Sequence, residues 1–417
     1  MPAFQEKHKR IVDFITHTIV SNGLESPLGC MRYPYLSPGC TAYSHDLWDW
    51  DSYWIIYAMT GIYEQTHNDR KMEEFKPHAV GSFLNFLDHQ GKDGSLPILI
   101  TPDDDDRFDC KLSADNNMAK PFIAQMGKKL WDCGMLSEEE LAASIDAIYA
   151  YHKCYLRRYQ HQNTGLIFWA KDWGIGIDDD PTVWGRPPKS CASVFLNVFL
   201  SQDFAAAAEL NRALGNNERA NEYCRMRKKL QESIQKYCWD VRSSAYYSVD
   251  IQCQPNLIQH RFWGTLNCNL ETFWHCLKFN VLTWSSVLPF WSGMGDSKQF
   301  RDYWNANITS ERLLGQFGFR SLSADEPMYT PEIKRGNPSN WLGPVWILAN
   351  FIMWETLKQR GWINEANDIA RTIIDMLFND LENNGCFHEY YSPETGKGVE
   401  NPHFLSWNAL AGLMTIL

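Results

Sequence analysis

Helix signals recur along this sequence from one end to the other, and no linker interrupts them. Ser137-Glu138-Glu139-Glu140 has the form of a capping box, and Leu141, Ile145, Ile148, Tyr149, His152 and Tyr155 follow as an apolar stripe at helical spacing. Asn364-Glu365 opens a second such segment, in which Ile369, Ile373, Met376 and Leu377 recur. Asn216-Asn217-Glu218 opens a third, running to about Trp239. Read this way the chain holds about twelve helices, starting near residues 4, 51, 71, 118, 137, 189, 217, 267, 296, 342, 363 and 402. Strand-like alternation is confined to short stretches such as Tyr246-Tyr247-Ser248-Val249.

About twelve helices in 417 residues, without a Pro/Gly/Ser-rich break, predict an all-α protein: a single (α/α)6 barrel over 1–417. Two concentric layers of helices can share one core, which reconciles this length with one domain. The odd-to-even connections of such a barrel gather at one end. Polar, aromatic and Gly/Pro-rich segments at 23–50, 99–117, 161–188, 240–266, 309–341 and 382–401 are the long connections expected to build a cleft there.

Charge and composition remove other classes. A net charge of −11 gives no electrostatic footprint for a nucleic acid. No apolar run approaches the ~20 residues that cross a bilayer, and Met1–Lys7 has no signal-peptide character, so a cytosolic protein without a membrane partner is expected. The 12 cysteines never form a CxxC pair, and the 12 histidines show no zinc spacing. The thiols are therefore expected to be reduced, and the residues propose neither a metal nor a cofactor. Nothing in them speaks to oligomeric state. The aromatic load does point somewhere: Trp48, Trp50, Trp173, Trp184 and Trp341 sit beside Asp, Asn, Gly or Pro in loop-like segments. Sugars present apolar faces and polar edges, so aromatic planes beside carboxylates suit a saccharide cleft, although each such Trp could equally serve packing.

Two loops carry the candidate chemistry. One is Trp169-Ala170-Lys171-Asp172-Trp173-Gly174-Ile175-Gly176-Ile177-Asp178-Asp179-Asp180-Pro181. The other is Cys386-Phe387-His388-Glu389-Tyr390-Tyr391-Ser392-Pro393-Glu394-Thr395-Gly396. Glycoside cleavage needs one protonated carboxyl for the leaving oxygen and one ionised carboxylate across the sugar. An acid wedged among Trp and Ile keeps its proton near neutral pH, because desolvation disfavours the charge. On spacing alone, an Asp triplet in a loop is as readily a solvated turn or a helix cap.

At these loops the sequence resembles glycoside hydrolase family 63. Trp173 to Pro181 is similar to the family's general-acid loop, which places the acid on Asp178. Glu389-Tyr390-Tyr391-Ser392-Pro393-Glu394-Thr395-Gly396, followed by Ser406-Trp407, is similar to its general-base loop, which places the base on Glu389. Trp50-Asp51-Ser52-Tyr53, Asn117-Met118-Ala119-Lys120-Pro121, the segment 318–329 and Trp341-Leu342-Gly343-Pro344-Val345-Trp346 resemble further family blocks in the family's order. Ile175, Asn340 and Leu342 depart from it. The resemblance implies an inverting α-glycoside hydrolase acting on a small glycoside. Its compact members, which act on mannosylglycerate and glucosylglycerate, are the nearest in length, and a neutral α-glucoside such as a gluco-oligosaccharide is the runner-up. Trp50, Asp51, Lys120, Trp341, Trp346 and Trp407 are candidates to hold the sugar. Arg186 is a candidate clamp for an anionic aglycone, and His403 either bonds the sugar or caps a helix. A non-catalytic sugar-binding barrel is the distant alternative, which the presence of both carboxylates disfavours.

Overall fold

The computed structural model describes residues 3–43, 45–253, 258–266, 275–309, 311–332 and 339–416. Among these it holds eleven α-helices: α1 (Phe4–Asn22), α2 (Asp49–Gln65), α3 (Asp69–Asp88), α4 (Ile123–Asp132), α5 (Glu138–Tyr159), α6 (Val194–Ala213), α7 (Asn217–Tyr237), α8 (Leu288–Trp291), α9 (Ser297–Tyr303), α10 (Ile347–Gln359) and α11 (Ile363–Asn384). A 3₁₀ turn, Trp284–Val287, leads into α8, a π-helical turn, Trp304–Ile308, extends α9, and a 3₁₀ segment, Ser406–Leu413, follows α11.

Helix sequence decides helix position. α2, α6 and α10 bury residues around nearly their whole circumference, from Trp50, Trp54 and Ile56 in α2 to Phe351, Met353 and Trp354 in α10. α7 buries only Ala220, Tyr223, Leu230 and Ile234, one narrow stripe. A helix apolar all round belongs inside, and an amphipathic one belongs against it. Accordingly α2 packs on α4, α4 on α6, α6 on α8, α8 on α10, α10 on the 3₁₀ segment Ser406–Leu413, and that segment on α2. These six staves close a ring. Outside it, α1 lies against α11 and the last stave, α3 against α2 and α4, α5 against α4 and α6, α7 against α6, and α11 against α10. α9 reaches the ring through Phe300, whose ring sits 5.3 Å from that of Phe290 in α8. The buried apolar side chains join into one continuous core from Ile11 to Met414.

Inner-to-outer turns are short (66–68, 133–137, 214–216, 292–296 and 360–362), whereas the outer-to-inner connections are long. The capping box at Ser137 and Glu140 forms as the sequence predicts. Three helices begin about five residues later than expected. Pro121 keeps Lys120 out of helical backbone before α4, Lys189 and a strand at Cys191–Ala192 delay α6, and Gly343-Pro344 delays α10. The last inner stave is 3₁₀ rather than α. The helix expected near 267 falls outside the described residues. Tyr246 and Val249 lie in short antiparallel pairings, with Val249–Asp250 joining Cys191–Ala192 and Leu277–Lys278 in a three-stranded sheet.

Candidate active site

The long connections wall a cavity of about 510 Å³ at one rim of the ring. Pro38, Tyr43 and Trp48 come from the first connection, and Ile98, Phe108 and Lys120 from the second. Asp172, Trp173, Gly174, Gly176, Asp178, Asp179 and Trp184 come from the third, Ser339 from the fifth, and Glu389 and Phe404 from the sixth. Trp50, Asp51 and Trp407 rise from the ring itself. The connection between α7 and α8 supplies no lining residue among those described. Trp173 and Trp184 are exposed at the mouth.

The loop bearing Asp178 is held by backbone that only particular residues tolerate. Gly174 and Gly176 take φ of 77° and 84°, and Asp179 takes 60°. A Cβ on Gly176 would stand 3.1 Å from both Trp50 and Lys120, so the residue is glycine on two counts. Asn117 pins the loop to the second connection. Its amide donates to the Lys171 and Trp173 carbonyls at 2.8 and 2.7 Å, and its oxygen accepts from Ala170 N at 2.8 Å. Asp180, the last of the Asp triplet, is a buried cap on Thr182, bonded to its N–H and hydroxyl at 2.9 Å. Asp178 keeps surface toward the cavity while protein closes around the rest of it. Burial therefore raises its pKa, with the Asp179 charge adding to the effect and a Ser339 hydrogen bond and Lys120 opposing it.

Glu389 stands on a hairpin fixed from below. Its N–H donates to Glu400 O, and Tyr391 exchanges backbone bonds with Val345 at 2.9 Å in both directions. Asp380 accepts from the Tyr391 hydroxyl and lies 2.9 Å from His388 Nδ1. The Glu389 side chain is 2 % exposed. Asn401 donates to one of its oxygens, and the Tyr43 hydroxyl reaches both at 3.3 and 3.5 Å. Burial dominates, and with the Asp51 and Asp178 charges it lifts Glu389 to about 7, against the Asn401 and Tyr43 hydrogen bonds. Asp51, bonded to Ser406 Oγ at 2.6 Å, is likewise lifted by burial to about 7. Lys120 is buried and committed: its Nζ lies 2.8 Å from Asp49 and 5.3 Å over the Trp50 ring. Two carboxyls from separate loops, Asp178 and Glu389, both raised by burial on one aromatic-walled cavity, are placed for proton transfer.

Of the candidates named from sequence, Trp50, Asp51, Lys120, Asp178, Glu389 and Trp407 line this cavity. Trp341 and Trp346 do not line it. They stack on each other at 3.9 Å and 7° behind Trp50 and Trp407, as a backing layer. Arg186 is not at the cavity either: its guanidinium pairs with Asp250 and stacks on Phe279 at 4.3 Å, which leaves it bracing the sheet beside the third connection. His403 is exposed, outside the lining, at a left-handed φ of 70°. Leu342 is fully buried, and Asn340 ties the turn that precedes α10, bonding Thr330 O, Glu332 O and Leu342 N. Tyr43, Phe108, Ser339, Asn401 and Phe404 were missed from sequence, because each is an unremarkable loop residue until the rim assembles. Asp49, which holds Lys120, was likewise not singled out from sequence.

A family model described as the mannosylglycerate hydrolase MGH1-like glycoside hydrolase domain matches residues 43–407. This chain belongs to that family. The crystal structure of the GH63 mannosylglycerate hydrolase from Thermus thermophilus in complex with glucose aligns with this chain at a TM-score of 0.68 and 16% identity, over 98% of this chain and 99% of that one. Neutral trehalase Nth1 from Saccharomyces cerevisiae aligns at 0.56 and 13%, over 96% and 79%. These likenesses show the fold, an (α/α)6 type. Among curated relatives, a mannosylglycerate hydrolase of Rubrobacter radiotolerans is 24% identical over 54% of this chain and 43% of its own length. A probable mannosyl-oligosaccharide glucosidase of Schizosaccharomyces pombe is 25% identical over 56% and 28%. The chain thus spans less than half the length of these curated relatives. No described helix is long and apolar enough to cross a membrane.

Proposed function

We propose that the hydrolase is a cytosolic inverting α-glycosidase of small glycosides, with mannosylglycerate or glucosylglycerate as favoured substrate. Asp178 gives its proton to the glycosidic oxygen as the bond to the anomeric carbon breaks. Glu389 takes a proton from the water that attacks that carbon from the other face. Trp50, Asp51, Lys120 and Trp407 hold the sugar, and Trp341 and Trp346 keep Trp50 and Trp407 in place. The observation that carries this reading is the presence of Asp178 and Glu389, on two different loops and both raised by burial, in one cavity of about 510 Å³. That volume suits a disaccharide-sized ligand. The family match supports the glycerate glycosides.

A second reading has its own support. The described lining carries five carboxylates (Asp51, Asp172, Asp178, Asp179 and Glu389) and one cation, Lys120, which Asp49 already holds. A lining with this balance suits a neutral aglycone better than a carboxylate. Proton NMR of the first-formed anomer, on mannosylglycerate, glucosylglycerate and a neutral glucosylglycerol, tests both readings. A β product from an α-glycoside is expected. A first-formed α product would overturn inversion, and turnover of the neutral glycoside alone would select the second reading.

A further inference from the structure

Away from the cavity, the fold brings together three side chains that the sequence keeps far apart. Cys30 lies in the connection before α2, His89 directly follows α3, and Asp104 lies in the connection before α4. Their sulfur, ring-nitrogen and carboxylate atoms all lie within 4.8 Å of one another. None of the three lines the candidate active site.

The hydrogen bonds orient this cluster for a cation. His89 Nδ1 is 2.8 Å from the Asn85 carbonyl, which can only accept, so that nitrogen carries a proton and Nε2 is the one turned to the cluster. A metal-binding imidazole is characteristically fixed in this way, by a backbone carbonyl on its other nitrogen. Nε2 faces Asp104 Oδ1 at 3.9 Å. Asp104 is presented by a left-handed backbone, φ 55°. The Cys30 thiol donates to Thr101 O at 3.1 Å, and Lys111 Nζ lies 3.6 Å from Asp104 Oδ1.

We propose that Cys30, His89 and Asp104 bind one divalent ion of the zinc class, with water as a fourth ligand. A thiolate, an imidazole and a carboxylate form a borderline-soft ligand set, which selects zinc over calcium or magnesium. Ligand atoms on a tetrahedral zinc lie ~3.4–3.7 Å apart, so the cluster closes on the ion with shifts of about 1 Å or less. On binding, the Cys30 S–H bond breaks, the sulfur–metal bond forms and the proton leaves to solvent. Lys111 yields its place on Asp104. Asp104 is exposed, which gives the ion a path in. The metal clasps the two connections that supply Tyr43 and Trp48 on one side and Ile98 and Phe108 on the other.

The full chain, stripped with chelator, is titrated with Co²⁺ and then with Zn²⁺ under reducing conditions. One Co²⁺ per chain is expected, with thiolate-to-cobalt absorption in the near ultraviolet that one equivalent of Zn²⁺ abolishes. Cys30→Ser and His89→Gln should each weaken binding at least tenfold, and the sulfur band should vanish in Cys30→Ser, while far-ultraviolet dichroism of the metal-free variants stays that of the parent. Failure to bind one equivalent at micromolar metal, a sulfur band that persists in Cys30→Ser, or affinity unaltered in His89→Gln would each overturn the site.

Discussion

Tyr43→Phe probes the proposed base without touching it. The substitution removes only the hydroxyl that reaches Glu389 Oε1 and Oε2 at 3.3 and 3.5 Å. Burial pushes the Tyr43 phenol far up, so it stays a neutral donor across the working range and favours ionised Glu389. A hydrogen bond to a charged group contributes ~1.5–3 kcal/mol, and these long contacts belong at the low end. At ~1.4 kcal/mol per pH unit, the loss should move Glu389 from about 7 to about 8. At pH 6 the ionised fraction then falls from ~9% to ~1%, so kcat/KM drops about tenfold, whereas at pH 8 the loss is about twofold. The assay is a kcat/KM profile from pH 5 to 9 on the glycoside turned over best. An acid limb that stays in place, or moves to lower pH, would refute Glu389 as the group whose ionisation starts the reaction.

Asp178→Asn and Glu389→Gln should each lower kcat by at least ~10³-fold with dichroism unchanged, so near-full activity in either variant removes that residue from the mechanism. The raised Glu389 pKa also has a stability consequence. Its folded-state benefit is full below its unfolded value of 4.5 and is lost as pH rises through about 7. Glu389→Gln should therefore raise the melting temperature at pH 8, by at most ~3 kcal/mol of stability, and much less at pH 4. Lys120→Met strands Asp49 without its partner and should cost ~3–5 kcal/mol in urea denaturation, with Asp49→Asn in the same chain recovering part of it. Arg186→Ala, outside the cavity, should change turnover of glycerate and neutral glycosides alike, and a loss confined to the glycerate substrates would return Arg186 to the site.

The ring was legible in the residues because its cause is local. Periodicity in α5 and α11 and all-round apolarity in α2 and α6 are written within single helices. The two carboxylate loops stood out through their resemblance to family blocks, and in the first of them Gly174, Gly176 and Asp179 take backbone that few other residues adopt. What depends on partners far along the chain was hidden. Arg186 reads as a clamp until Asp250 is seen to hold it, and Trp346 reads as a sugar platform until Trp341 covers it. The Tyr43 and Asn401 contacts to Glu389 cross 346 and 12 positions and leave no local trace. Helix starts slipped where a Pro or a strand lay just inside the first expected turn, a competition that periodicity does not register.

The ring closes late in synthesis. Asp51, in the first inner stave, hydrogen-bonds Ser406, in the last, at a sequence separation of 355. At ~5–20 residues per second, a ribosome would take about 20–70 s to supply that partner. Through that interval α2 has α3 and α4 to pack on but lacks the last stave, which finally covers its remaining side. Nascent chains should therefore depend on holdase chaperones, and ribosome stalls before residue 406 should yield aggregates rather than shortened enzyme.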